Sequence, residues 1–109
     1  MPPFLIKPGG VYMGKLKIIA EKRETEEIVR TAIYAEIKRL EIGLKRTNIE
    51  IKRFEEEYNV PSEIFVKEFT SEDLKGGDDE YVRWAGELKL RDRILDELEK
   101  LKDIEYVAN

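Results

Sequence analysis

The feature that most constrains this chain is a heptad pattern of apolar residues in its first half. From Glu24 to Tyr58 there is no proline and one glycine, and apolar or small residues recur at alternating spacings of four and three. We call these residues the seam: Ile33, Ile37, Leu40, Leu44, Thr47, Ile51, Phe54 and Tyr58. This spacing puts them on one face of a helix and is typical of helices that pack against another helix. A helix over 24–58 would be roughly 50 Å long, so we expect an elongated molecule.

The second half of the chain predicts a helix that returns along the first one. Pro61 stops the first helix, and residues 62–70 predict a short helix at the connection. A second long helix is predicted over 79–105, begun by a capping side chain from Asp78 or Asp79. Its seam is interrupted by Arg91 and consists of Tyr81, Trp84, Leu88, Leu95, Leu98 and Leu101. The predicted fold is therefore mainly all-α, a long antiparallel helical hairpin or coiled coil.

The N-terminal region predicts a flexible arm followed by a short strand. Residues 1–14 contain three prolines and three glycines, which disfavour a regular element. Residues 15–21 alternate as a strand does, so we expect a single domain over 15–109 that opens with this strand. The strand needs a partner, which can be a second copy of the chain, another protein, or the segment Ile104–Val107. We also expect that translation starts at Met13, with Met1 as the alternative.

The composition argues against an enzyme and against a metal or other cofactor. The chain has no His and no Cys, which removes the usual nucleophile–base pairs and the commonest metal ligands. The acidic cluster near Gly76 and Gly77 (Asp73, Asp78, Asp79 and Glu80) does not have calcium-loop spacing. Charged residues make up 40% of the chain and thermolabile residues are few, which is the trend in proteins of heat-loving microbes.

A second apolar line on the first helix indicates a partner. Ile28, Ala35, Ile42 and Ile49 recur every seven residues, nearly opposite the seam, where a two-helix hairpin would leave them exposed. A second copy of the chain, the short helix or a different protein can cover this line. The neighbouring Lys-Arg pairs at 38–39, 45–46 and 52–53 lie among glutamates, which favours a solvated, salt-bridged face over a nucleic-acid site.

The only tryptophan allows two interpretations. Trp84 and Tyr81 can pack in the core against an aromatic plug of Phe54, Tyr58, Phe65 and Phe69, or they can anchor a partner protein. The small pair Ala85-Gly86 beside them suggests a close approach between helices.

Basic residues near the N-terminus raise a further binding possibility. Residues 1–23 carry five cations and one acid, and those in or next to the strand are Lys15, Lys17, Lys22 and Arg23. They can contact DNA or another anionic partner, or they can belong to a solvated tail. No apolar run is long enough for a membrane span or a signal peptide, so a cytoplasmic protein without a membrane partner is expected.

The middle of the chain contains a long helix ending in Phe-Glu-x-x-Tyr (54–58), a Ser-Glu-x-Phe turn (62–65), and an acidic loop entering a helix with Trp-Ala-Gly (84–86). This pattern resembles that of a family of small archaeal and cyanobacterial proteins that are regarded as antitoxins of two-gene toxin–antitoxin modules. The resemblance covers roughly residues 33–100. It implies an inhibitor that holds a cognate toxin, with an arm that contacts DNA, and it carries no catalytic residues.

These observations predict a non-enzymatic binding protein, an antitoxin whose second apolar line docks a toxin. One alternative is a structural, homo-oligomeric coiled-coil module. Another is a nucleic-acid-binding protein that uses the basic N-terminal region.

Overall fold

The computed structural model describes residues 15–108 and is mainly helical, as predicted. The elements, in chain order, are β1 (Lys17–Ala20), α1 (Arg23–Tyr58), α2 (Ser62–Glu68), a 3₁₀ turn (Ser71–Asp73), α3 (Gly77–Lys102) and β2 (Glu105–Ala108). The molecule is elongated, with principal extents of 58 × 35 × 18 Å. The predicted flexible arm and the predicted start at Met13 lie outside the described residues.

Helix α1 has nearly the bounds that the seam predicts. It begins at Arg23, and its N-cap residue, Lys22, contributes no capping side chain. It ends where Asn59 adopts the left-handed conformation (φ 52°) and donates its backbone N–H to the carbonyl of Glu55. Pro61 then prevents the helix from continuing.

Helices α1 and α3 pack against each other in two apolar clusters. One cluster joins the C-terminal part of α1 to the start of α3 and contains Ile51, Phe54, Phe65, Leu74, Trp84 and Leu88. The other joins Leu40 of α1 to Ile94 and Leu98, near the end of α3. Between the clusters the buried hydroxyl of Thr47 donates a 2.6 Å hydrogen bond to the carboxylate of Glu87. The seam is therefore the face of α1 that α3 covers.

Trp84 lies at the centre of the aromatic plug. Its ring stacks on Phe65 at a centroid distance of 3.9 Å and an interplanar angle of 4°, and Phe54 stacks at 5.4 Å. Its indole N–H donates to the hydroxyl of Ser62, the first residue of α2. Helix α2 thus closes one end of the helical pair. It ends at Glu68, two residues earlier than predicted, because the backbone of Phe69 is extended.

Helix α3 does not begin with the predicted aspartate cap. It starts at Gly77, and neither Asp78 nor Asp79 caps it, because both lie inside its first turn. The backbone N–H of Gly76 instead donates a 3.1 Å hydrogen bond to the carboxylate of Glu80, which also accepts the hydroxyl of Tyr58. The cap therefore comes from a residue four positions later in the chain, and Tyr58 ties it to the end of α1.

The C-terminal segment pairs with the N-terminal strand, so the predicted helix over 79–105 is too long. Helix α3 ends at Lys102, and β2 lies parallel to β1 with Lys17 opposite Glu105 and Ile18 opposite Tyr106. The backbone N–H of Glu105 donates a 2.9 Å hydrogen bond to the carbonyl of Leu16. Of the three partners that the sequence allows for the strand, the structure contains the segment within the same chain. The predicted strand over 15–21 is shortened to Lys17–Ala20.

Candidate protein-binding surface

The second apolar line of α1 lies on the surface. Ile28, Ile42 and Ile49 are 70%, 63% and 59% exposed, and Ala35 is exposed as well. Seven residues are close to two helical turns, so the four side chains form one row along the helix. Leu40 and Ile51, on the opposite side of α1, are buried against α3. Neither α2 nor α3 covers the row, and we call Ile28, Ala35, Ile42 and Ile49 the apolar row.

The cations beside the apolar row divide into paired and unpaired ones. Arg39 holds the carboxylate of Glu36 at 2.5 Å, and Lys38 lies 3.7 Å from that of Glu41. The hydrogen bond from Arg39 lowers the pKa of Glu36. The hydroxyl of Tyr34, and after it Glu41, raises the pKa of Lys38.

Farther along α1, Arg53 holds the carboxylate of Glu50. Lys45 and Arg46, which lie between Ile42 and Ile49, form no ion pair within residues 15–108. In the middle of the row, Lys45 and Arg46 are therefore not held by a carboxylate in direct contact, although Glu41 and Glu50 are each four residues away in sequence.

A groove runs beside Ile49. It has a volume of about 390 Å³, and its apolar wall is formed by Leu44 and Ile49. Its rim has two lysines and one acid and consists of Glu41, Lys45, Asn48 and Lys52. A groove of this kind accepts an apolar side chain from a partner, and its lysines attract carboxylates next to that side chain. The groove therefore places an apolar surface next to lysines that can pair with carboxylates.

Trp84 does not belong to this surface. Its side chain has no exposed area, so its suggested role as a partner anchor is wrong, and the core interpretation is confirmed. Tyr81 lies on α3, not on the face of α1 that carries the apolar row. It is half-buried, and its ring packs on that of Phe65 at a centroid distance of 5.1 Å. The expected close approach at Ala85-Gly86 is also wrong, because Gly86 is exposed and nothing lies within 4 Å of where a Cβ would be.

The four basic residues of the N-terminal region are exposed, and two of them lie close to carboxylates. Lys15 lies 3.8 Å from carboxylate oxygens of both Asp103 and Glu105, and Arg23 lies 3.6 Å from that of Glu27. Lys17 is on β1 and Lys22 precedes α1. The structure brings the four to one end of the molecule, where acidic neighbours partly neutralise them.

A further groove lies next to the sheet and was not predicted. It has a volume of about 490 Å³, with an apolar wall of Ile33, Ile37, Leu101 and Ile104 and a rim that includes Arg30, Lys102 and Tyr106. Arg30 lies over the ring of Tyr106 at 3.9 Å and is also paired with Glu26. Residues of α1 and α3 form most of this groove, and Ile104 and Tyr106 complete it where the chain returns to β1. No local pattern in the sequence indicates that return.

The described residues also allow statements about metal binding, membrane crossing and titration. Within residues 15–108, no three or more acidic side chains are grouped so that they could hold a metal ion. In the same range, no helix combines the length and the apolar character that crossing a bilayer requires. The hydrogen bond from Tyr58 lowers the pKa of Glu80, and burial raises that of Tyr58. These shifts favour the neutral phenol and the ionised carboxylate, so the pair stabilises the helix ends.

Comparisons with protein-family models, with curated proteins and with solved structures give no match to this chain.

Proposed function

We propose that this chain is a non-enzymatic binding protein, the antitoxin of a toxin–antitoxin module, and that it holds its cognate toxin in the cytoplasm against the apolar row of α1. The observation that carries the proposal is the exposure of Ile28, Ala35, Ile42 and Ile49 at a constant spacing of seven residues. Fully burying one such isoleucine in an interface is worth about 1.5–3 kcal/mol, so three of them can anchor a partner.

The platform for this surface is the helical pair, which we propose to be an antiparallel coiled-coil hairpin. Three contacts support this geometry: Tyr58 with Glu80, Thr47 with Glu87, and Glu41 with Lys102. As residue numbers fall along α1 they rise along α3, as antiparallel helices require. Because α3 buries the opposite side of α1, the apolar row lies on a rigid support.

The charges next to the row indicate the chemistry of the toxin surface. A helix that lies along the row would place apolar side chains against Ile42 and Ile49. Carboxylates on the flanks of that helix would neutralise Lys45 and Arg46, which have no ion pair within the described range. The proposed partner therefore presents an acidic amphipathic helix.

The test is co-expression with the product of the neighbouring gene. We expect that product to arrest growth alone, and this chain to restore growth and to co-purify with it. Replacing Ile42 and Ile49 with aspartate should abolish both effects, because the apolar anchors are lost and the new carboxylates would repel those of the proposed partner helix.

The matched control is Val82→Asp, a single change at an equally exposed apolar residue of α3. It should leave rescue and co-purification intact. The antitoxin proposal fails if the unmodified chain neither rescues growth nor co-purifies. The assignment of the surface fails if the Ile42 and Ile49 variant still does both.

A further inference from the structure

The sheet of this protein is unusually small and open. Its two strands, β1 and β2, are parallel, and the structure contains no third strand between residues 15 and 108. Parallel strands are normally buried on both faces, and sheets of two strands are only marginally stable alone. Here Ile19 and Val107 lie side by side on the outer face and are 66% and 38% exposed. The outer face of this small sheet is therefore apolar and exposed, whereas in larger parallel sheets such a face is covered.

The free edge of β1 presents backbone groups in a known direction. The carbonyl of Leu16 faces β2, because it accepts the N–H of Glu105. Successive residues of a strand direct their backbone groups to opposite sides, so Ile18 also faces β2. Lys17 and Ile19 then direct their N–H and C=O groups away from β2. An incoming strand would bond to these two residues.

We propose that β1 pairs with β1 of a second copy, antiparallel and around a twofold axis at Ile19, to form the four-stranded sheet β2-β1-β1-β2. In this register Ile19 lies opposite Ile19 of the second copy, and Lys17 lies opposite its Glu21. Lys17 and Ile19 direct their backbone groups toward the free edge, and Glu21 is the first residue after β1. Opposite charges and apolar residues directly across two strands stabilise the pairing.

The charged side chains of Lys17, on β1, and of Glu21, just after it, are available for this contact. Neither Lys17 nor Glu21 forms an ion pair with any residue from 15 to 108. The symmetric pairing joins each of them to the other twice, once on each side of the axis. Moving the register by two residues would instead put Lys17 opposite Ile19. The charge of Lys17 would then have no acidic partner, and Ile19 would have no apolar one. The sequence of the strand is thus complementary to itself in one register.

Space for the second strand exists beside β1. A groove of about 290 Å³ separates this edge from the start of α1, and its lining includes Ile18, Ala20, Thr25 and Val29. Side chains alternate along a strand, so the residues of the second copy that face α1 are its Ile18 and Ala20. They would meet Thr25 and Val29 of α1, beside Glu21, Lys22 and Glu26, whose charged side chains also line the groove.

Self-association through the apolar row of α1 is less favourable. An antiparallel register that joins all four of its members sets Ile28 against Ile49 and Ala35 against Ile42. The same register places Lys38 beside Arg39 of the other copy, so the two cations repel. A parallel arrangement places each cation beside the same cation of the other copy, which is also repulsive. The sheet edge is therefore the better surface for a second copy, and the apolar row remains open.

A single engineered cysteine tests the geometry, because the chain contains no Cys. In the proposed dimer the two Ile19 Cα atoms are about 5.5 Å apart, within the range that a disulfide spans. Oxidised Ile19→Cys should migrate as a dimer on a non-reducing gel and as a monomer after reduction. Ile42→Cys, the control on the apolar row, should stay monomeric. The proposal is overturned if the Ile42→Cys variant forms a disulfide-linked dimer and the Ile19→Cys variant does not.

Charge exchange tests the register in the otherwise unmodified chain by sedimentation equilibrium. Glu21→Lys makes two cross-strand pairs repulsive, so the dimer dissociation constant should rise about tenfold. The double variant Lys17→Glu/Glu21→Lys should recover most of this loss. Glu72→Lys, the same charge change in the exposed 3₁₀ turn, should have no effect. A chain that is monomeric at every concentration overturns the proposal, as does a dimer that Glu21→Lys leaves unchanged.

Discussion

The indole N–H of Trp84 donates a 3.0 Å hydrogen bond to the hydroxyl of Ser62, and both side chains are buried. This bond joins α3 to the first residue of α2 at the point where Phe65 stacks on the indole. A single hydroxyl therefore satisfies the one polar group of the largest core residue. Together with the stacking of Phe65 and the hydrogen bond from the backbone N–H of Ser62 to Glu55, it holds α2 across the end of the helical pair.

Ser62→Ala should lower the free energy of unfolding by about 1–3 kcal/mol, because the buried indole N–H would have no acceptor. Urea denaturation measures this loss. In a Trp84→Phe background the same change should cost much less, since no donor is left unsatisfied. Equal losses in both backgrounds would show that the hydrogen bond is not the cause.

Thr47→Val should destabilise the protein by about 1 kcal/mol, because Glu87 loses its donor at the helix interface. Adding Glu87→Leu should restore the wild-type stability or exceed it, since two apolar side chains then meet across the seam. Urea unfolding of both single variants and the double variant gives the coupling between the two sites. A double variant less stable than either single one would contradict this explanation.

Gly86→Ala should stabilise the protein by about 0.5–1 kcal/mol. Gly86 is an exposed residue inside α3 with open space around its Cα, and alanine is the better helix former. Gly77→Ala, the control, should destabilise the protein, because Gly77 has a φ of 61°. Thermal unfolding by circular dichroism compares the two. A lower melting temperature for Gly86→Ala would contradict the prediction.

The Tyr58–Glu80 pair should impose an acid limit on stability. The hydrogen bond from Tyr58, followed by that from Gly76, lowers the pKa of Glu80 in the folded state. A carboxyl whose pKa is lowered by folding contributes stability above its unfolded pKa of about 4.3, and loses it as the pH falls through the folded pKa. Unfolding free energies measured from pH 6 downward should fall less steeply for Glu80→Gln than for the wild type.

The same pair should impose an alkaline limit. Burial, and next the hydrogen bond to Glu80, raises the pKa of Tyr58. Stability from this group is present below the unfolded pKa of about 10 and is lost as the pH rises through the folded pKa. Tyr58→Phe should therefore flatten the alkaline limb of the pH profile. An unchanged limb would assign it to other residues.

The sequence predicts those parts of the fold that depend on local spacing. The proline-free stretch from Glu24 to Tyr58 predicts α1 to within one residue at its start. The seam predicts its buried face, because a repeat of three and four places the same residues on one face at every turn. The apolar row follows from the same periodicity, since a line opposite a buried seam is exposed when one helix covers only one side.

The sequence does not predict features that depend on distant pairing. Helix α3 stops at Lys102 because the segment that follows pairs with β1, 88 residues earlier in the chain, and a helical pattern cannot show this competition. The Glu80 cap was missed for a related reason. Asp78 and Asp79 have the preferred residue type for a cap, but the position of Tyr58 draws the carboxylate of Glu80 to the helix start.

The pairing of β1 with β2 also limits how the two long helices can move. Helices that pack through a seven-residue repeat can slip past each other by one repeat, about 10 Å, with apolar side chains still meeting apolar side chains. Here such slippage would pull Ile18 away from Tyr106 at one end and Tyr58 away from Glu80 at the other. With both ends tied, α1 and α3 are held in one register, so the same apolar residues meet in the two clusters between the helices.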